Sequence, residues 1–194
     1  MTKTINILIT GLGGQGVNAL YEVLQKTILR SGMYCKGAIF KGGAQKRGSV
    51  YAVIRTSGQE QYAQHYSPMI AKGELDVLIG LEANEAARHY PLFNKKTKVV
   101  VNDYQFPFYS ERFEGVTPKE DPIVRLKTDF GAQGIIDFNQ KSKQTFGHLK
   151  MVNILMGLEA INQGFIPIDK MDFLEIFEQK VSIKYEELLL LMKE

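Results

Sequence analysis

Thr10-Gly11-Leu12-Gly13-Gly14-Gln15-Gly16-Val17 is the stretch whose reading decides the fold. An apolar run, Ile5-Asn6-Ile7-Leu8-Ile9, precedes it and reads as a buried strand. A helical pattern follows from Val17 to Arg30. Strand, glycine turn and helix form the first half of a βαβ unit. A tight turn requires positive φ, which glycine supplies at little steric cost. A missing Cβ also lets an anion approach the backbone, and the start of the next helix offers free N–H groups and the positive end of a dipole.

Gly11, Gly13 and Gly16 fit the spacing G-x-G-x-x-G of dinucleotide sites. Those sites also want an acidic residue about 20 residues further on, at the end of the second strand, for the ribose hydroxyls. Here the second strand, Tyr34 to Phe40, is followed by Lys41-Gly42-Gly43, and no Asp or Glu occurs between Gln25 and Arg55. The motif alone leaves open a site for NAD, a site for another anion, or a turn that only packs helix on strand.

Outward from this stretch, strands and helices alternate. Gly32 is the expected left-handed cap of the first helix. Gly42-Gly43-Ala44-Gln45-Lys46-Arg47-Gly48-Ser49 is a glycine-rich basic loop leading into the alternating strand Val50–Arg55, an expected antiparallel addition. Residues 66–73 read as a short helix. Leu75–Leu81 is a buried strand, Glu82–Arg88 opens a helix, and Lys98–Asp103 is the next strand. Residues 104–145 read as a surface insertion, with Ile123–Leu126 as a short strand and no clean period from Asp129 to Phe146. The helical period returns from Gly147 to Gly164, then after the capping Asp169, and the tail from Lys184 is apolar enough to pack on the domain or a partner. The expected fold class is α/β: a three-layer αβα, Rossmann-like, mostly parallel doubly wound sheet with antiparallel additions, in one domain over residues 1–194.

Composition narrows the function classes. The 194 residues carry a net charge of +3, with 44% hydrophobic and 23% charged residues, ordinary for a globular protein and too weakly basic to argue for nucleic acid. No apolar run approaches the roughly 20 residues of a membrane helix. Met1-Thr2-Lys3-Thr4 runs straight into a strand, so a cytoplasmic protein without a signal peptide is expected. Cys35 is the only cysteine, so this chain cannot supply the thiolate set of an iron–sulfur cluster. His65, His89 and His148 are scattered, without zinc-ligand spacing.

Several blocks together carry a family resemblance. Gly11-Leu12-Gly13-Gly14-Gln15-Gly16-Val17 resembles the G-x-G-G-Q-G-V start of the gamma subunit or domain of 2-oxoacid:ferredoxin oxidoreductases, a group that includes the beta subunit of indolepyruvate ferredoxin oxidoreductase. Gly42 to Val50 is similar to that family's G-M-A-Q-R-G-G-S-V, Asp76–Glu82 through Glu85-Ala86 to its D-x-L-L-x-L-E-x-x-E-A, and Asn153 with Gly157 to its N-x-x-x-G helix. Val99-Val100-Val101-Asn102 is a further match. There are departures: Ile39-Phe40-Lys41 stands where the family often has Glu-Ile-His, and Lys46-Arg47-Gly48 where Arg-Gly-Gly is usual.

The resemblance implies an oxidoreductase subunit that is inactive alone. Partner subunits would hold thiamine diphosphate with its Mg2+ and the iron–sulfur clusters, pass electrons to ferredoxin, and turn a 2-oxo acid such as indolepyruvate or pyruvate into acyl-CoA. This chain would complete the active site or its coenzyme A side. The residues expected to bind are Gly11, Gly13, Gly14, Gln15, Gly16, Gln45, Lys46 and Arg47, with no catalytic or metal residue assigned. Glu82 and Glu85 read as helix-start carboxylates rather than acid–base groups. Cys35 reads as a small core residue. Two other classes compete: an autonomous NADP-dependent reductase using Lys36 or Lys41 at the 2′-phosphate, and a non-catalytic binding module.

Overall fold

The computed structural model describes residues 4–43, 47–58, 67–107, 120–181 and 185–193. In chain order the strands are β1 (Ile5–Leu12), β2 (Tyr34–Lys41), β3 (Ser49–Ser57), β4 (Val77–Gly80), β5 (Lys98–Asn102) and β6 (Ile135–Ile136). The helices are α1 (Val17–Arg30), α2 (Ala83–Ala87), α3 (Pro122–Phe130), α4 (Phe138–Phe146), α5 (Val152–Asn162), α6 (Lys170–Lys180) and α7 (Tyr185–Lys193). No described helix is long and apolar enough to cross a membrane.

The strands form one sheet in the order β2-β3-β1-β4-β5-β6. β1, β4, β5 and β6 pair in parallel, while β3 runs antiparallel to both neighbours. β3 is thus the one described strand that opposes the rest, the antiparallel addition read from the sequence. β1 is buried along almost its whole length, as a central strand covered on both faces should be. Its alternation divides the core. Ile7 and Ile9 pack with Leu20 and Leu24 of α1, Leu158 of α5 and Phe173 of α6. Leu8 faces the other way, with Val99 and Val101 of β5, Ala83 and Ala86 of α2, and Ile123 and Leu126 of α3. Helices therefore cover both sides of the sheet.

Three local expectations are corrected. Residues 67–73 are not helical, and Tyr66 lies outside the described residues. The Arg55 guanidinium takes the carbonyls of Ser67 and Met69 at 3.0 and 3.4 Å, and Met69 N–H donates to Ser67 Oγ, so the local groups are spent on a turn. Ile123–Leu126 is helix rather than strand. Asp121 caps α3 by accepting from Ile123 N–H at 2.8 Å, Pro122 occupies its first turn, and Gly131 closes it, signals that outweigh the β-branched pair Ile123-Val124. The stretch 104–145 is not simply a surface insertion: within it, β6 extends the sheet and Phe138 is fully buried. Residues 108–119 lie outside the described residues. Asp169 caps α6 as expected, and the tail packs on the domain through the fully buried Leu191.

Helices α1, α5 and α6 meet at Gly157. A Cβ there would lie 2.7 Å from Leu20 Cδ1 and 2.9 Å from Phe173 Cζ. Substitution G157V should cost about 1–3 kcal/mol of stability by overpacking. Urea unfolding of purified protein measures it, and an unchanged midpoint contradicts this packing.

Candidate functional site

The glycine turn is fixed by bonds that the glycines make possible. Gly13 N–H donates to the Gly48 carbonyl at 2.8 Å, joining the turn to the start of β3, and Gln15 N–H donates to Leu12 O at 3.0 Å. Gly14 and Gly16 hold φ values of 96° and 90°, the left-handed region. Gln15 Oε1 accepts from Leu12 N–H at 2.6 Å and its Nε2 donates to Leu81 O at 3.4 Å. That side chain ties the turn to the residue after β4 and is largely committed to the fold.

Gly11, expected in the binding turn, lies inside β1, which runs to Leu12. A Cβ on it would come within 2.8 Å of Gln15 Oε1 and 2.9 Å of Leu81 Cβ. It makes room for packing, and it lines neither of the clefts described next. Gly16 rests on α5: Asn153 Nδ2 donates to its carbonyl at 3.1 Å, and a Cβ on Gly16 would stand 2.4 Å from that nitrogen. Asn153 is itself buried. From the sequence Asn153 stood out only through the family resemblance, because its partner is 137 residues away.

Two clefts flank Gly13, Gly14 and Gly16. One, of about 880 Å³, is also bordered by Arg47, Phe106, Asn139, His148 and Lys150. The other, of about 780 Å³, is bordered by Asn18, Lys41, Arg47 and Gly48. The start of α1 borders both, through Gly16 and Ala19. Gly16 is its N-cap and offers no side-chain acceptor, and the first turn carries no acidic residue. The amides of that turn and the positive end of the dipole are therefore available to an anion. Beyond Gly14 the space is open where a Cβ would sit. Asn18 Oδ1 is buried and unpaired among the described residues, an acceptor suited to a hydroxyl or amide donor.

Arg47 borders both clefts and is the one non-glycine with positive φ, 53°, among the described residues. Its guanidinium lies over the Phe106 ring, 4.7 Å from the centroid. Gln45 and Lys46, expected beside it, lie outside the described residues. In the larger cleft Lys150 N–H donates to His148 Nδ1 at 3.3 Å, so the proton is on Nε2, which reaches Glu187 Oε1 at 2.8 Å and holds α7 against the wall.

The carboxylates of Glu82 and Glu85 serve the fold. Glu82 caps α2 by accepting from Glu85 N–H at 2.7 Å, and its other oxygen accepts from Phe106 N–H at 2.8 Å. Glu85 pairs with Arg88 at 3.1 Å, while its Oε2 is buried without a partner among the described residues. His89 packs edge-on against Tyr51, and burial next to Arg88 lowers its pKa. Cys35 is half-buried in β2, and burial pushes its thiol up to about 11, so it stays a protonated, unreactive group at neutral pH.

A family model described as pyruvate ferredoxin/flavodoxin oxidoreductase matches residues 6–188. The indolepyruvate oxidoreductase subunit IorB of Thermococcus kodakarensis is 28% identical over 185 residues, covering 94% of this chain and 89% of that protein. The IorB of Archaeoglobus fulgidus is 34% identical over 98 residues, covering 50% of this chain and 46% of that one, so the match spans about half its length. Among solved structures, the pyruvate oxidoreductase subunit PORC of Thermotoga maritima superposes with a TM-score of 0.61 at 16% identity, covering 97% of this chain and 91% of that chain. A 2-oxoglutarate:ferredoxin oxidoreductase from Magnetococcus marinus, with 2-oxoglutarate, coenzyme A and succinyl-CoA bound, gives 0.68 at 18% identity, covering all of this chain and 30% of that one. At such identities the structural likeness speaks for the fold.

Glu82 generates a pH prediction. Burial holds its carboxyl above the usual value, against the opposing pull of N–H groups from Phe106, Glu85 and Asn84. The fold thus favours the protonated acid, a contribution complete below the unfolded pKa and lost as pH rises through the folded one. The stability gap between wild type and Glu82→Gln should therefore shift in favour of Gln as pH rises above the ordinary carboxylate range, about pH 4. Urea unfolding at rising pH measures it, and a gap independent of pH contradicts it.

Proposed function

This chain belongs to the pyruvate ferredoxin/flavodoxin oxidoreductase family, whose members work in 2-oxoacid oxidoreductase complexes, and on that premise we propose that it is the subunit supplying the coenzyme A-facing wall of such a complex. The observation that carries this reading is the convergence, at the two clefts, of the Gly13–Gly16 backbone, the uncapped start of α1 and Arg47. A phosphate meets there free N–H donors, a helix dipole and a planar cation. Bound coenzyme A would supply the thiol that accepts the acyl group.

Thiamine diphosphate and iron–sulfur clusters do not fit this chain. One half-buried, protonated thiol cannot hold a cluster, and the sequence has no G-D-G segment for the metal of thiamine diphosphate. We assign these cofactors and the transfer of electrons to ferredoxin to partner subunits, so the chain is inactive alone. Indolepyruvate is the 2-oxo acid favoured by the likeness to IorB over most of the chain, with pyruvate as the other candidate.

A self-contained NADP reductase is less well supported. β3 stands between β1 and β2, so the end of β2 with Lys41 sits two strand spacings, roughly 9–10 Å, from β1. A dinucleotide in the usual pose meets β3 where it needs the second strand.

Purification from the native host under anaerobic conditions should bring down subunits bearing thiamine diphosphate and iron–sulfur clusters. Adding coenzyme A to that complex should slow hydrogen exchange at the amides of residues 14–19. A chain that runs alone and turns over a 2-oxo acid or NADPH unaided overturns the proposal, as does protection confined to other subunits.

A further inference from the structure

Arg47 and Phe106 belong to segments 59 residues apart, and nothing in the sequence pairs them. In the structure the path between them is explicit. The start of α2 clamps the chain that follows β5: Ala83 N–H donates to Tyr104 O at 2.9 Å, Glu82 Oε1 accepts from Phe106 N–H at 2.8 Å, and Asn84 Nδ2 donates to Phe106 O at 3.1 Å. Phe106 is thereby held at both its backbone polar groups. Glu82 is fully buried and Asn84 nearly so, so the clamp itself is rigid. The ring of Phe106 projects into the larger cleft and carries the Arg47 guanidinium, 4.7 Å from its centroid.

We propose that Phe106 is a positioning residue for anion binding, its clamped ring holding the Arg47 guanidinium at the mouth shared by the two clefts. The inference rests on the coenzyme A reading and adds the device that makes Arg47 effective. The guanidinium is held over the ring by attraction to its π face, a contact that spends none of the Arg47 N–H donors on a carboxylate or carbonyl acceptor and leaves them for phosphate oxygens. A phenyl ring offers no acceptor that would compete for those donors. A free arginine must lose side-chain entropy when it grips a ligand, and a stacked one has already lost part of it. The left-handed backbone of Arg47 fits such a preset role, since strained conformations persist where surrounding structure enforces them. Glu82 then gains a purpose beyond capping, because it fixes the platform from a residue that touches no ligand.

Calorimetric titration of the purified complex with coenzyme A tests this, using wild type, R47A, F106L, F106Y and the double variant R47A/F106L. F106L should weaken binding about three- to tenfold, the range of a partly exposed cation–π contact. F106Y keeps the ring and should bind within about twofold of wild type. F106L should add nothing in the R47A background. An R47A complex with wild-type affinity defeats the coenzyme A reading and the role of Phe106 with it. If R47A weakens binding but F106L does not, or if F106Y is as weak as F106L, only the positioning role is overturned. Should F106L fail to assemble, F106M tests the same contact: it keeps the apolar bulk and removes the ring, so weakened binding that disappears in the R47A background supports the device and wild-type binding overturns it.

Discussion

The hydrogen bond from Asn153 to the carbonyl of Gly16 is the constraint on which the rest depends. It joins the first turn of α5 to the N-cap of α1, and it requires that residue 16 have no side chain. With Gly16 fixed in the left-handed region, the start of α1 is aimed at the clefts rather than into protein. Gln15 fastens the other side of the turn to β1 and to the residue after β4. A backbone cradle is useful only if it holds its shape in the absence of ligand, because preorganised donors cost no reorganisation on binding. Here Gln15 and Asn153, which themselves border the larger cleft, supply the rigidity through their hydrogen bonds, and the glycines supply the access.

Much of this was legible in the sequence, and the limits have physical causes. The apolar run Ile5–Ile9, the glycine turn and the period of α1 indicated the first βαβ half, and the alternating Val50–Arg55 strand with its following turn indicated the antiparallel β3. Where the reading failed, a local preference lost to a specific partner. Ile123-Val124 has strand propensity, yet Asp121 and Pro122 start a helix. Residues 67–73 suggested a helix, yet Arg55 draws off their carbonyls. Gly11 and Gly13 looked equivalent in the motif, and the structure separates them: the first is a packing glycine within β1, the second faces the clefts. Contacts at long sequence separation carried no signal of their own. The Asn153–Gly16 and Arg47–Phe106 pairs are of this kind, and only the family resemblance marked Asn153.

The chemistry of the chain fits a divided labour. Its one thiol is raised by burial, its buried carboxylates cap and clamp, and its described His148 is engaged with Glu187. The polar surface that remains for a ligand is cationic and rich in donors: backbone amides, Arg47, Lys41 and Lys150. Such a surface is suited to binding and orienting an anion, and in our proposal bond-making is left to groups on partner subunits. Membership of an oxidoreductase family is consistent with that, since the redox and carbanion chemistry of these complexes resides in cofactors.

A structure of the assembled complex with coenzyme A bound tests the central claim most directly. The account predicts density for its phosphates against the amides at the start of α1 and the Arg47 guanidinium, with the remainder of the ligand leading toward a partner subunit. Coenzyme A seated wholly on another subunit, with residues 13–16 packed against protein, would contradict it.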